Sequence, residues 1–177
     1  MLRVIAIDGP AASGKSSTAA KVAERLGWAH LDSGALYRAL TLAALDNLGA
    51  AGRRQGDPWS GEQLLILAER LPVRLVLAGN RFLPEVAGAG VAEAIRGERV
   101  TQLVSVIAAI PEVRTWVNTR QRHAVEALKA GGSGRGVVVD GRDIGTMVFP
   151  EAPLKIFLTA TPHERARRRL FQWGNVM

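Results

Sequence analysis

The apolar positions of this chain fall into short β-branched runs and longer runs with helical spacing, in alternation. "LRVIAID" is a continuous apolar run closed by Asp8 and predicts a buried strand. "KSSTAAKVAERLG" follows with Ala19, Val22, Ala23 and Leu26 on one helical face and Gly27 placed to cap the C-terminus. "WAHLD" predicts a second strand, and "SGALYRALTLAALDNLG" a helix with Leu36, Leu40 and Ala43 on one face. Ser33 stands where its hydroxyl would cap that helix. "VVVD" and "LKIFLTA" read as two further buried strands, and "TPHERARRRLFQW" opens a last helix.

The middle of the chain has a different pattern. "GRRQGDP" is a breaker-rich loop. "SGEQLLILAERL" reads as a short helix, and "PVRLVLAGNRFLPEVAG" alternates around Gly79-Asn80 as a hairpin would. "GERVTQLVSVIAAI" and "PEVRTWVNTRQRHAVEALKAGG" are helical, parted at Pro111, and "GGSGRG" reads as a flexible link. Strands alternating with helices predict an α/β fold in three layers around a mostly parallel sheet. The hairpin and its helices look like an insertion on that core.

Composition narrows the class. A chain of 177 residues, 47% of them apolar, supports one domain with a sizeable core and is not a disordered composition. With no cysteine, a disulfide framework and a thiolate metal site are excluded. The N-terminal apolar run is too short for a signal peptide, and no stretch is long enough to span a bilayer. A cytoplasmic location is the expectation. The net charge is +7, and apart from Lys15, Lys21, Lys129 and Lys155 the cations are arginines. That balance points to a phosphate-bearing partner held by forked donors. The three histidines, His30, His123 and His163, show no metal-ligand spacing and read as structural or exposed, and Trp28, Trp59, Trp116 and Trp173 read as packing residues.

The chemistry is concentrated in "IDGPAASGKSST". Gly9, Pro10, Ala11, Ala12, Ser13, Gly14, Lys15 and Ser16 fit G-x-x-x-x-G-K-[ST] without deviation, between a predicted strand and a predicted helix. Such a loop turns its N–H groups inward, and the helix N-terminus behind it favours an anion. Lys15 would bridge the β- and γ-phosphates, Ser16 would ligate Mg²⁺, and Ser17 closes the set of ATP-binding positions. A P-loop alone does not separate kinases from GTPases or motor ATPases.

Two more stretches do: "LDSGALYRAL" and "VVVDGRDIGTMVFPEAPLKIFLTATPHERARRR". With "IRGERV" and "IPEVRTWVNTRQR" they make the chain, from about Ile5 to Arg169, resemble the bacterial cytidylate kinases of the nucleoside monophosphate kinase superfamily. The resemblance is loose from Gly49 to Gly90. It implies transfer of the γ-phosphate of ATP to CMP or dCMP, with Mg²⁺, by a monomer acting on neither nucleic acid nor membranes. It also implies a single domain in which residues 1–32 and 136–177 form the core and the start of a lid. Residues 33–135 would be the monophosphate-binding insertion and its connecting helices. Another small-molecule P-loop kinase, of shikimate or gluconate type, and a non-enzymatic P-loop module binding nucleotide or nucleic acid are the competing readings.

The resemblance also distributes roles. Arg38 and Arg142 look like the grip on the acceptor α-phosphate, and Ser33 like a contact to its ribose, in addition to or instead of a helix cap. Asp143, Arg114 and Ser105 look like the base-reading set: a carboxylate accepts from the cytosine amine where uracil offers a carbonyl. A buried helix serine is the plain alternative for Ser105. Asp140, at a strand end beside the P-loop, is expected to support Mg²⁺, with a loop or capping carboxylate as the alternative; Asp8 is left without a role. Arg165, Arg167, Arg168 and Arg169 look like the start of a mobile lid, with Arg165 beside Lys15 and Arg142 in the catalytic set. After "ERARRR" the family continues with the rest of the lid, an Arg-Asp pair on the acceptor, and a last strand and helix bearing adenine contacts. Here the chain reads "LFQWGNVM", so a shortened, frameshifted or cleaved product is expected, a poor enzyme that still binds nucleotide.

Overall fold

The computed structural model describes residues 3–49, 59–131 and 134–174, except the side chains of residues 172 and 173. The loop expected at "GRRQGDP" lies outside the described residues, as do Gly132 and Ser133 of the glycine-rich link and the side chain of Trp173.

Strand β1 (Val4–Asp8) is apolar up to Asp8 and buried throughout. The chain then turns through the P-loop into α1 (Lys15–Leu26), which ends at Gly27 in the left-handed region, φ 64°. Only the Ala19 and Ala23 side of α1 is buried; Leu26, placed by periodicity on the same face, is exposed at the last turn. Strand β2 (Ala29–Asp32) leads into α2 (Gly34–Asn47), buried at Leu36, Leu40 and Ala43 as its spacing predicts. Helix α3 (Gly61–Arg70) opens on a full capping box: Ser60 Oγ accepts from Gln63 N–H and the Gln63 side chain accepts from Ser60 N–H. Strands β3 (Val73–Ala78) and β4 (Arg81–Val86) pair antiparallel around Gly79, φ 60°, and the two-residue β5 (Ala89–Gly90) pairs with β4.

Helix α4 (Glu98–Ile107) and the long α5 (Pro111–Ala130) follow, with Pro111 in the first turn of α5, where no N–H is required. Strand β6 (Val137–Gly141) is fully buried; a π-helical segment, Ile144–Val148, joins it to β7 (Leu154–Phe157), and α6 (Pro162–Gly174) ends the described chain.

The sheet order is β3-β4-β2-β6-β1-β7, with the core strands parallel and the hairpin hydrogen-bonded to the edge at β2. One face packs Ile5, Ile7 and Val138 against α1, and the other packs Val4, Ala6, Leu31 and Val139 against α5 and the π segment. A third cluster, around Leu36, Leu40, Leu64, Ile107 and Val113, ties α2 to α3, α4 and α5. This is the α/β architecture expected, a mixed and mostly parallel sheet with helices on both faces.

Strand β7 departs from its expected burial. All four of its residues are exposed, Phe157 at 70%: β7 is an edge strand paired with β1, and none of its side chains belongs to a buried cluster. An apolar run announces a strand; burial is supplied by whatever packs on it. The tryptophans behave as packing residues where described: Trp59 is buried, Trp116 joins the helical core beneath the Arg120 guanidinium, and Trp28 lies against α1 and blocks any side chain at Gly136.

Candidate active site

The carboxyl ends of parallel strands are where ligands bind in open α/β sheets. Here β1, β6 and β2 end side by side: Asp8 is in register with Gly141, and Asp140 is paired with Ile7 on one side and Asp32 on the other. Three carboxylates and the P-loop therefore meet at one sheet edge.

The P-loop takes the shape its glycines permit. Gly14 sits at φ 93° and Ala12 at φ 58°. A Cβ at Gly9 would stand 2.1 Å from the Leu158 carbonyl oxygen, so only glycine lets this loop pass the segment after β7. Lys15 donates to the Pro10 carbonyl at 3.4 Å, curling back over its own loop. Burial holds its ammonium below the ordinary value, the Asp140 carboxylate opposes that shift, and Arg142 adds to it. The Ser13 hydroxyl is buried and unpartnered inside the loop. An open cavity of about 740 Å³ extends from the loop, lined among others by Ser13, Ser17, Thr18, Leu158, Arg167 and Phe171.

Ser16 Oγ donates to Asp140 Oδ2 at 2.5 Å, and His30 Nε2 lies 2.7 Å from Asp140 Oδ1. Asp140 is thus a buried strand carboxylate with both oxygens engaged, not a loop or capping residue. Ser16 and Asp140 form a pair of hard oxygen donors, which suits Mg²⁺, an ion that keeps several waters and takes one or two protein ligands plus phosphate. No group of three or more His, Cys, Asp or Glu able to hold a metal occurs among the described residues, so a second, all-protein cation cage is not present there.

The expected Ser33 cap is not formed. Ser33 is the residue before α2, but its side chain makes no capping bond; Asp32 Oδ1 accepts the Gly34 N–H at 2.9 Å instead. Ser33 is in helical backbone geometry, φ −64° and ψ −25°, whereas a capping hydroxyl needs an extended residue to reach forward. The Ser33 carbonyl is held from α5 by Gln121 Nε2 at 3.0 Å. Burial and the neighbouring Asp140 charge push the Asp32 carboxyl above its ordinary value, against the Gly34 N–H, His30 and Arg38.

Several arginines converge on Arg38. Arg38 reaches from α2 to Thr101 Oγ1 at 3.2 Å. Burial lowers its pKa, Asp32 opposes this, and the charges of Arg169, Arg96 and Arg142 add to the lowering. Arg96 lies in "IRGERV", on a 3-10 turn, Ala94–Arg96, where no local pattern marks it as part of the site. Arg142 is exposed at the mouth of the site.

Arg114, in the first turns of α5, forms an ion pair with Asp143, 29 residues away in the chain. Burial raises the pKa of the nearby Tyr37 phenol, which senses both charges, so Tyr37 belongs to the same corner. Ser105 is exposed on α4, not the buried helix serine that was one alternative. The loop carrying Asp143 is fastened twice: Asp8 accepts the N–H groups of Ile144 and Gly145, and Arg122 donates to the Val148 and Met147 carbonyls at 2.8 and 2.6 Å.

On α6, Arg167 and Arg168 both bind Glu164, which they pull down to about pKa 2, and Arg168 also donates to the Ser13 carbonyl at 3.1 Å. The Nε of Arg165 is buried with no hydrogen-bond partner. His30 is buried, whereas His123 and His163 are exposed.

A P-loop at the end of a parallel sheet, faced by converging arginines and a second charged corner, defines a small-molecule phosphotransferase, a kinase. The cytidylate kinase family model matches residues 5–176, and the chain belongs to that family. It is 49% identical over 172 residues to the cytidylate kinase of Stutzerimonas stutzeri, covering 96% of this chain and 69% of that one. It is 47% identical over 173 residues to the cytidylate kinase of Pseudomonas aeruginosa strain LESB58, with the same two coverages. To the Nitrosococcus oceani cytidylate kinase it is 46% identical over 172 residues. The family places the protein in pyrimidine metabolism as a nucleotide-binding transferase. No described helix is long and apolar enough to cross a membrane.

Proposed function

We propose that the protein transfers the γ-phosphate of ATP to CMP or dCMP. The observation that supports this is that the Arg114–Asp143 pair, and the Arg142 and Asp32 charges that act on both Arg38 and Lys15, stand at the end of the sheet where the P-loop leaves β1. A base reader and a phosphate grip stand beside a triphosphate cradle.

The donor phosphates sit in the loop of residues 9–17, with Lys15 on the transferring group, and the cavity beyond Ser13 and Ser17 takes the donor nucleoside. Mg²⁺, held by Ser16 and the Asp140 carboxylate, would neutralise charge on the β- and γ-phosphates. The acceptor phosphate oxygen is itself the nucleophile, so the protein supplies position and charge. Arg38 and Arg142 hold the acceptor phosphate in line, Arg165 meets the charge that develops in transit, and Ser33 contacts the ribose. Asp143 accepts from the cytosine amine, Arg114 donates to its ring acceptors, and Ser105 faces the base from α4. Residues 33–135 carry most of the acceptor side as an insertion, with Arg142 and Asp143 supplied by the core segment. The chain works as a monomer in the cytoplasm, on nucleotides and not on nucleic acid.

The test is ADP release coupled to a reporter enzyme, with CMP, dCMP, UMP, AMP or shikimate as acceptor. Turnover with CMP or dCMP well above the other three supports the reading. Equal rates with UMP or AMP, or turnover of shikimate, overturns it.

A further inference from the structure

We propose that His30 is a positioning residue for phosphoryl transfer, acting through Asp140 on the P-loop serine. The inference rests on the proposed kinase reading of this site. His30 sits on β2 between β4 and β6, a place where an apolar side chain would be expected. Its backbone N–H is committed to the Asn80 carbonyl at 2.9 Å, which fixes the strand edge there. A buried imidazole needs a polar partner, and this one has Asp140 Oδ1 at 2.7 Å.

The direction of that bond follows from the carboxylate. Ionised Asp140 only accepts, so His30 Nε2 carries the hydrogen. The other oxygen, Oδ2, accepts from Ser16 Oγ. The three side chains form one chain, imidazole to carboxylate to hydroxyl, from the sheet interior to the first turn of α1. His30 and Asp32 lie two residues apart on β2 and so share the α1 face, with Asp140 paired to Asp32 in register. Among the described residues, His30 is the partner that holds Asp140 Oδ1 against repulsion by Asp32 and attraction by Lys15. Without the imidazole the Asp140 rotamer, and with it the oxygen offered toward Ser16 and the donor phosphates, would be lost. None of the acceptor-side groups, Arg38, Arg114 or Asp143, bonds to His30, so the effect should fall on the chemical step and on donor binding.

The experiment compares wild type with His30→Phe and His30→Leu, which fill space without donating, and His30→Gln, whose Nε2 reaches about as far as the imidazole Nε2. The donor-free variants should lose about 10–100-fold in kcat, the range for groups that orient a ligating side chain, with KM for CMP unchanged. His30→Gln should recover most of that loss. Calorimetric titration of ATP with Mg²⁺ and with EDTA supplies a second readout: the gain in affinity on adding Mg²⁺ should shrink in the donor-free variants and return with Gln. Wild-type kcat and Mg²⁺ dependence in Phe or Leu, or a Gln variant no better than they are, overturns the proposal. If neither donor-free variant folds, the Nε2–H proton of ¹⁵N-labelled wild type decides: it should shift when Mg–ATP draws Ser16 away from Asp140, and an unmoved resonance overturns the proposal. Failure of wild type to phosphorylate CMP would instead overturn the kinase reading, and the calorimetry would still test His30.

Discussion

Asp8, at the end of β1, holds Ile144, 136 residues further along the chain, through a 2.8 Å bond from the Ile144 N–H to Oδ1. Its other oxygen accepts from Gly145 at the same distance. The strand that launches the P-loop thereby fastens the loop that carries Asp143 through one buried carboxylate. Asp8→Asn keeps an acceptor for one N–H but turns an amide donor toward the other. The expected result is a loss of about 1–3 kcal/mol in stability, the penalty for a buried group left unpaired, with a raised KM for CMP. Urea unfolding and steady-state kinetics check both; unchanged CMP kinetics would show that the loop keeps its place without Asp8.

Lys15→Ala should abolish phosphoryl transfer and leave the fold intact. The lysine bends onto the Pro10 carbonyl at 3.4 Å and packs into none of the apolar clusters. Its removal should shift stability by less than about 1 kcal/mol. Near-normal turnover in the coupled assay would refute the P-loop assignment.

Asp143→Asn should weaken the preference for cytosine over uracil by about 1–3 kcal/mol, because an amide donates as well as accepts. The variant also strips Arg114 of its charge partner, so the absolute rate with CMP should fall too. The ratio of kcat/KM for CMP and UMP is the measurement, and an unaltered ratio would remove Asp143 from base reading.

Asp32 should make the free protein less stable as pH rises. Burial and Asp140 raise its folded-state pKa above the ordinary 3.8, so the native state holds the proton more tightly than the unfolded chain. Stability from this group is then full below 3.8 and falls as pH climbs through the raised folded value. Arg38, His30 and Lys15 face the same carboxylate and limit the loss without reversing its sign. Asp32→Asn keeps an acceptor for Gly34 N–H and removes the repulsion. It should melt higher than wild type at pH 7, with the advantage vanishing below about pH 4. Thermal unfolding from about pH 3 to 8, without nucleotide or divalent cation, tests this; equal melting temperatures at pH 7 would contradict it.

The amino-acid sequence by itself determined most of the elements and the P-loop motif. The β-branched runs, the helical spacings, the Gly79-Asn80 turn and the G-x-x-x-x-G-K-S loop are local patterns, and local patterns survive in a string. Tertiary structure decided what depends on neighbours distant in the chain. Whether an apolar run is buried was one such matter: β6 is covered by α1 on one face and by α5 and the π segment on the other, while no buried cluster takes in a β7 side chain. Which carboxylate serves which partner was another. Asp8, Asp32 and Asp140 look alike at strand ends, yet one binds loop amides, one caps α2, and one joins His30 to Ser16. Side-chain alternation across the pleat sends Asp8 to one face of the sheet and Asp140 to the other, and strand order sets what each meets there. Neither the order nor the register is written in any short stretch of the chain.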